Sequence, residues 1–392
     1  MSNKKENQLR QGYGASRFVW NQVKAMVEED YKNGVKLPSK FDLGKQFREK
    51  IKSNNDFLKE VPATISEYSV QYFHTAMWNF FSQRSKYPRW KTKNGNSESF
   101  TLHNIQFKIN GKKLYIAKMG WYGLTEELRF NGKLVRATVS EKNGNHYVSI
   151  TVDTEIEPME QTGEAVGVDF NIHSIDLSNG QKFEHSQFLK HDLKKLAHAQ
   201  RVMSRKVKGS ANWNKARRRV TSIYEKISNK RLDAHHKLSH TLIKNNTVIA
   251  LEDLHIRGMM KNRRLAKAIG DASFYQLSNQ IEYKSKIHER ELVRVGRFFP
   301  SSKTCSNCGT VKTKLSLGER VYRCEECNLV LDRDTNAAIN ILNEGLTVLG
   351  FPGSNACGGT VRPELTPQGE SDRLVPVKQE SFNITGKVEY KK

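Results

Sequence analysis

Two cysteine pairs limit the folds open to this chain more than any other feature. Cys305 and Cys308 form one C-x-x-C pair and Cys324 and Cys327 another, with 15 residues between them. Each pair sets two thiolates on one turn, where they can share a tetrahedral ion, and four thiolates at this spacing suit zinc. A site closed by four protein ligands leaves no position for water, so the expected zinc holds a small ribbon together and takes no part in chemistry. Both spacings argue against four unrelated buried cysteines. The fifth cysteine, Cys357, stands alone in the C-terminal stretch and reads as a free thiol.

Thiols kept as ligands point to a reducing compartment. The start MSNKKENQLRQ has no signal-peptide core, and the longest wholly apolar stretches, such as Val248–Leu251, are too short to cross a bilayer. A cytoplasmic protein with no membrane partner is expected. The 392 residues allow two or three domains. Lys and Arg number 65 against 41 Asp and Glu, a net charge of +24, which calls for a polyanionic partner. Half of that excess lies in residues 186–243, where 15 basic residues meet three acids, Asp192, Glu225 and Asp233. Lys194, Lys195, Arg201, Arg205, Lys206, Lys208, Lys215, Arg217, Arg218 and Arg219 are too many for one helix face and suit the tracking of phosphates. Such contacts give affinity without sequence. The scarcity of compensating acids argues against a merely solvated charge run.

Hydrophobic spacing changes along the chain. Ala15, Phe18, Val19, Val23, Met26, Val27 and Tyr31 recur at three and four, as do Val70, Phe73, Ala76, Met77 and Phe80, so residues 1–98 are predicted to be helical, with shorter helices and loops over 36–60. Trp78, Tyr87, Trp90 and Lys91 interleave aromatic and basic residues, which serves base stacking or core packing equally. From residue 99 to 160 short alternating runs flank the turns Asn110-Gly111 and Asn143-Gly144, the signature of antiparallel hairpins. Ala165–Phe170 and Thr247–Leu251 read as buried strands, Ser174–Leu177 as a hairpin partner of the first, and residues 186–243 as two long helices. A helix at 273–290, a strand at Leu292–Phe298 and a helix from Asp334 to Leu342 follow. Residues 344–392 carry six basic and six acidic residues without a period and are expected to be a flexible tail. His235, His236 and His240 lie at helical spacing but lack a matching cysteine or acid, so packing or phosphate contact is expected of them.

Three carboxylates occupy core-mouth positions: Asp169 and Glu252 at the ends of apolar strands, and Asp334 at the start of a helix just beyond the ribbon. An isolated carboxylate there is costly unless it pairs with a cation or binds metal. Gathered at one sheet edge they could bind Mg²⁺, which takes one or two carboxylates and completes its shell with phosphate and water. Strand-end and N-cap acids on a solvated surface have the same spacing, and spacing alone does not decide.

At these residues the chain resembles the TnpB family of transposon-encoded, RNA-guided DNA endonucleases, relatives of the type V CRISPR effectors. The resemblance runs through GVDF around Asp169, KLAHAQRVMSRKVKGSANWNKARRRV at 195–220, HHKLSH at 235–240, ALEDLHIRGMMKN at 250–262, FFPSSKTCSNCG at 298–309 and DRDTNAAINIL at 332–342. It implies an α/β nuclease domain of RNase H-like (RuvC) fold with an inserted zinc ribbon, accompanied by all-α and β-barrel parts. On that pattern residues 1–98 form a helical recognition lobe with a short wedge segment and 99–160 a β-barrel wedge domain. Residues 161–300 form the nuclease domain, 301–331 the ribbon, 332–343 the closing nuclease helix and 344–392 the tail. The resemblance further implies that Asp169, Glu252 and Asp334 are catalytic and hold two Mg²⁺ ions. In this pattern Asp332 is a supporting or capping residue, and Asp253 faces the other side of its strand.

The implied activity is cleavage of double-stranded target DNA chosen by a guide RNA from the transposon end, one guide RNA to a monomer, with pairing reading the sequence and the protein reading a short flanking motif. A strand-transfer transposase working without RNA, or an RNA-guided repressor, are the competing functions; the presence of all three acids disfavours the repressor. Two departures stand out. Only about 16 residues precede Arg17-Phe18-Val19-Trp20-Asn21, so the wedge is expected to lack a strand and to recognise its flanking motif less fully. Asn171 replaces the family's usual glycine two residues after the first acid, a change the left-handed tolerance of Asn accommodates.

Overall fold

The computed structural model describes residues 2–93, 98–185, 188–316, 318–350 and 377–383. They divide into two compact units, Met1–Glu155 with Leu374–Lys392, and Ile156–Arg373. Among the described residues no helix is long and apolar enough to cross a membrane.

The first unit opens with three helices, α1 (Asn3–Lys32), α2 (Lys40–Lys50) and α3 (Ala63–Phe81). Most of the apolar stripe read from the sequence packs inward, with Val19, Val23 and Phe73 inaccessible to solvent, whereas Tyr31 at the end of α1 is exposed; Trp20 meets Phe73 edge-on at 5.2 Å. Seven strands follow in antiparallel pairings. Strands β1 (Glu98–His103), β5 (Lys133–Lys142) and β6 (Asn145–Asp153) form one sheet, and β2 (Phe107–Asn110), β3 (Lys113–Ile116) and β4 (Gly120–Gly123) another. The seventh strand, Val377–Asn383, pairs with β6 and extends the first sheet. Both Asn-Gly turns close hairpins as expected, with positive φ at Gly111, Asn143 and Gly144. Gly12 lets α1 lie on β1, since a Cβ there would stand 2.6 Å from the Phe100 ring. Tyr13 Oη and His146 Nδ1 join the helix to β6 at 2.9 Å.

The second unit centres on a five-stranded mixed sheet in the order β11-β10-β7-β8-β9. Strands β7 (Ala165–Phe170), β8 (Ser174–Leu177) and β9 (Lys182–Glu184) run antiparallel, while β10 (Val248–Glu252) lies parallel to β7 and to β11 (Glu291–Val295). Between β9 and β10 come α4 (Phe188–Ser204) and α5 (Ala211–Asn245); between β10 and β11 come α6 (Ile256–Met259), α7 (Ala266–Ala272) and α8 (Phe274–Ile287). A two-stranded ribbon, β12 (Val321–Arg323) with β13 (Val330–Asp332), leads into α9 (Arg333–Val348). One core joins Val166, Val168, Ile249 and Leu251 of the sheet to Leu238 and Leu242 of α5 and Leu277 and Ile281 of α8.

Helix α9 covers the opposite face, and two glycines set how closely. A Cβ on Gly167 would collide with the Ala338 carbonyl oxygen and come within 2.7 Å of the Leu342 nitrogen; one on Gly345 would stand 2.6 Å from the Ala250 Cβ. Gly345, which falls in the expected tail, sits inside α9. The expected tail is accordingly corrected in two places: α9 runs on to Val348, burying Leu342 and Leu346, and residues 377–383 form a strand on an otherwise open edge of β6. The rest of the expected tail, Cys357 included, lies outside the described residues. Replacing Gly167 with Val forces the helix off the strand; we expect a loss of about 1–3 kcal/mol or more, measured by denaturant unfolding.

Candidate functional site

Strand register brings the expected acids to one end of the sheet. Leu251 of β10 stands opposite Val168 of β7, so the next residue on each, Glu252 and Asp169, lies at the same level near the carboxyl end of its strand and on the same face. Across the antiparallel pair Asp169 faces Asp176 of β8. Three carboxylates thus form a row over three neighbouring strands. Helix α9 covers that face through Ala338, and Asp334 lies one turn earlier on the same side of the helix. Its N-terminus is capped by Asp332, whose Oδ1 accepts from the amides of Asp334 at 3.0 Å and Thr335 at 3.1 Å.

The tightest carboxylate group differs from the expected trio. Among the described residues, the carboxylates that bring oxygens within 4.8 Å of one another are those of Asp176, Asp332 and Asp334. Asp169 is tied to them by Asn171, whose Nδ2 donates to Asp169 Oδ2 at 2.7 Å. Glu252 accepts from Ser301 Oγ at 2.6 Å. Asp253, beside it, is drawn away by Arg297 at 2.6 Å. Sequence reasoning overlooked Asp176, although pairing the Asp169 strand with its hairpin partner in register points to it.

Burial pushes the Asp169 carboxyl up to about 8, with the Glu252 charge the next cause; the Asn171 hydrogen bond opposes, and Asp334 and Asp176 add to the rise. Burial also raises Glu252 against the Ser301 hydrogen bond. A carboxyl raised in this way costs stability as pH climbs from its unfolded value near 4 through about 8, because the folded state resists ionisation. A hard cation relieves that cost, and an all-oxygen set of mutually repelling, buried donors fits one. Beside the acids opens a cleft of about 730 Å³ lined by Lys182, Arg320 and Arg333 as well as Asp332 and Asp334. The Asp334 carboxylate lies 3.3 Å from Arg333 and 3.7 Å from Arg320.

All four cysteines of the two pairs come together. The Cys305 and Cys327 sulfurs are 3.5 Å apart and those of Cys308 and Cys324 3.6 Å. Sulfurs about 2.3 Å from a tetrahedral zinc stand roughly 3.8 Å from one another, so the group fits this ion. Its root is sewn to α9: Asn336 Nδ2 donates to the Thr304 carbonyl at 2.8 Å, and Asn340 Nδ2 to those of Ser301 and Thr304, each at 2.7 Å. Asn336 and Asn340 of DRDTNAAINIL therefore fasten the ribbon, and Ser301, at its root, also holds Glu252.

The ten basic residues singled out in 194–219 are all exposed. Lys194, Lys195 and Arg201 lie on α4, Arg205, Lys206 and Lys208 in the connection, and Lys215, Arg217, Arg218 and Arg219 on α5. The two helices share an apolar seam of Leu196, Ala199 and Val220. Of the ten, only Lys195 takes part in an ion pair among the described residues, with Asp192 at 3.2 Å. His235 and His236 are buried in α5, and no histidine joins a metal-holding group among the described residues. In the first unit, Trp78 and Trp90 are half exposed, covered by Arg84 and Lys24 respectively.

Known proteins share this organisation. A family model described as "Probable transposase" matches residues 146–263, and one described as "Cas12f1-like, TNB domain" matches residues 274–341. A Streptomyces pristinaespiralis protein titled "Putative RNA-guided DNA endonuclease" is 39% identical over 84% of this chain and 81% of its own length. The chain belongs to the TnpB family. InsQ of Escherichia coli K12, with the same title, is 29% identical over 91% of this TnpB chain and 92% of its own. The protein of a Cas12f1–sgRNA–target DNA complex superposes with a TM-score of 0.54 at 16% identity, covering 86% of this chain and 82% of that one, which shows a shared fold.

For this TnpB protein, Cys305→Ala should remove bound zinc, read by metal analysis, and lower the melting temperature. Asn340→Ala, which leaves the Ser301 carbonyl without its donor and the Thr304 carbonyl with Asn336 alone, should keep the zinc yet cost about 1–3 kcal/mol, measured by denaturant unfolding.

Proposed function

We propose that this protein is an RNA-guided DNA endonuclease, associated with an insertion sequence, that hydrolyses target DNA at a single RuvC-like site. What supports this reading most is that Glu252 and Asp169 lie side by side at one end of the mixed sheet, while Asp334 opens the helix that covers that face. The strand order β9-β8-β7-β10-β11, three antiparallel and then two parallel, supports the RNase H-like fold that the family resemblance implies. Titles of the relatives in Streptomyces and Escherichia coli support the same activity. On this reading the first unit supplies the recognition lobe over 1–98 and the wedge over 99–160, and the unit holding the acids is the nuclease.

Asp169, Glu252 and Asp334 would hold divalent cations, two Mg²⁺ by the family pattern, which when bound would offset charge on the scissile phosphate and help an attacking water to ionise. The chain's own residues prepare the place. Asp169, Glu252 and Asp334 offer oxygens in a buried row, and Ser301 and Asn171 fix two of them. Arg320, Arg333 and Lys182 line the adjoining cleft and attract a phosphate chain. Exposed basic side chains on α4 and α5 bind nucleic-acid backbone without regard to sequence, leaving selection to base pairing with the guide.

Asp169→Ala, Glu252→Ala and Asp334→Ala should each reduce Mg²⁺-dependent cleavage by about a thousandfold, equivalent to roughly 4 kcal/mol, while binding of nucleic acid by filter retention stays close to wild type. Cleavage that persists in all three, or that proceeds at full rate once copurifying RNA is digested, rules the reading out. Replacing Arg217, Arg218 and Arg219 together with Ala should weaken binding to all sequences alike and flatten the plot of log affinity against log salt by about two to three units of slope.

A further inference from the structure

Asn171 and Asp176 make contacts that the metal-binding role of the three acids does not require. Asp169 and Asp176 face each other across β7 and β8, a placement in which two carboxylates repel. Between them lies the Asn171 amide, with Nδ2 2.7 Å from Asp169 Oδ2 and 3.2 Å from Asp176 Oδ2. An amide nitrogen carries two hydrogens, one for each acid. The Asn171 backbone is fixed as well: its N–H donates to the Ser174 carbonyl at 2.9 Å, and its carbonyl lies 3.0 Å from His185 Nε2.

Asp176 has the attributes of an anchor. It is 2% exposed, Ser174 Oγ donates to its Oδ2 at 2.6 Å, and Lys182 Nζ stands 3.1 Å from its Oδ1. Oδ2 accepts from both Ser174 and Asn171 while Oδ1 pairs with Lys182, so the Asp176 carboxylate is held still as an acceptor for the Asn171 amide. Asp169 differs, because only Oδ2 has a hydrogen-bond partner among the described residues. We propose that Asn171, anchored by Asp176, is a positioning residue that locks the Asp169 carboxylate in one orientation and leaves Oδ1 as the oxygen offered to a divalent cation. Holding the ligand in place before the ion arrives spares the entropy of ordering it on binding. This inference rests on the nuclease reading for the identity of Asp169 as a metal ligand.

The test uses the full chain with its copurifying RNA. Mn²⁺ binding is followed by calorimetry, alongside the Mg²⁺ concentration giving half-maximal cleavage and the melting temperature. Asn171→Ala should weaken Mn²⁺ binding and raise the half-maximal Mg²⁺ concentration by about tenfold, the scale of one hydrogen bond to a charged group. The melting temperature should change little. Asp176→Ala should reproduce these losses, and the double variant should be no worse than either single one, because both act through one amide. Asp176→Asn, which keeps an accepting oxygen toward Asn171, should restore most of the affinity. Mn²⁺ affinity that is unchanged in Asn171→Ala and Asp176→Ala, or losses that add in the double variant, overturns the proposal. Asp169→Ala separates the two ideas: if wild type does not cleave but Asp169→Ala and Asn171→Ala both lose Mn²⁺, the nuclease reading fails and the brace stands. A wild-type chain that binds no Mn²⁺ refutes both.

Discussion

Everything at the acidic end of the sheet depends on how closely α9 lies on β7 and β10. Gly167 and Gly345 remove the two side chains that would hold it away, and Ala338 keeps the helix surface low at the contact. That approach carries Asp334 to the level of Asp169 and Glu252. It also delivers Asn336 and Asn340 to the ribbon root. A methyl group at Gly167 would therefore disturb backbone packing, one carboxylate and the ribbon's attachment together, although it touches no ligand.

The site combines costly features that offset one another. Burying carboxylates side by side is unfavourable, as the raised Asp169 shows. Each acid has a neutral or cationic neighbour that limits the cost: Asn171 for Asp169, Ser301 for Glu252, and Arg333 with Arg320 for Asp334. These neighbours come from a hairpin turn, the ribbon root, the ribbon itself and the helix start, so four separate segments must fold before the acids are held in place.

What was legible in the sequence was local. The C-x-x-C spacings mark the ribbon because each pair sits on one turn, and the apolar runs before Asp169 and Glu252 mark buried strands ending in an acid. The Asn-Gly turns announce their hairpins through backbone conformation alone. What escaped depends on register or on distant partners. Asp176 acquires meaning only once β8 is aligned with β7, and Asn336 and Asn340 only once the ribbon folds back on α9. Gly345 gains its role only once the Ala250 methyl is found against it. The strand Val377–Asn383 is polar and lacks alternation, since backbone pairing with β6 is what defines it.

That last strand gives the first unit an unusual timetable. Its partner β6 ends at Asp153, but Val377 emerges from the ribosome only after the whole second unit has been made. At about 5–20 residues per second the delay is on the order of ten to forty seconds. During this interval the β6 edge is bare, and the nascent chain must either shield it or risk pairing with a neighbour on the same message.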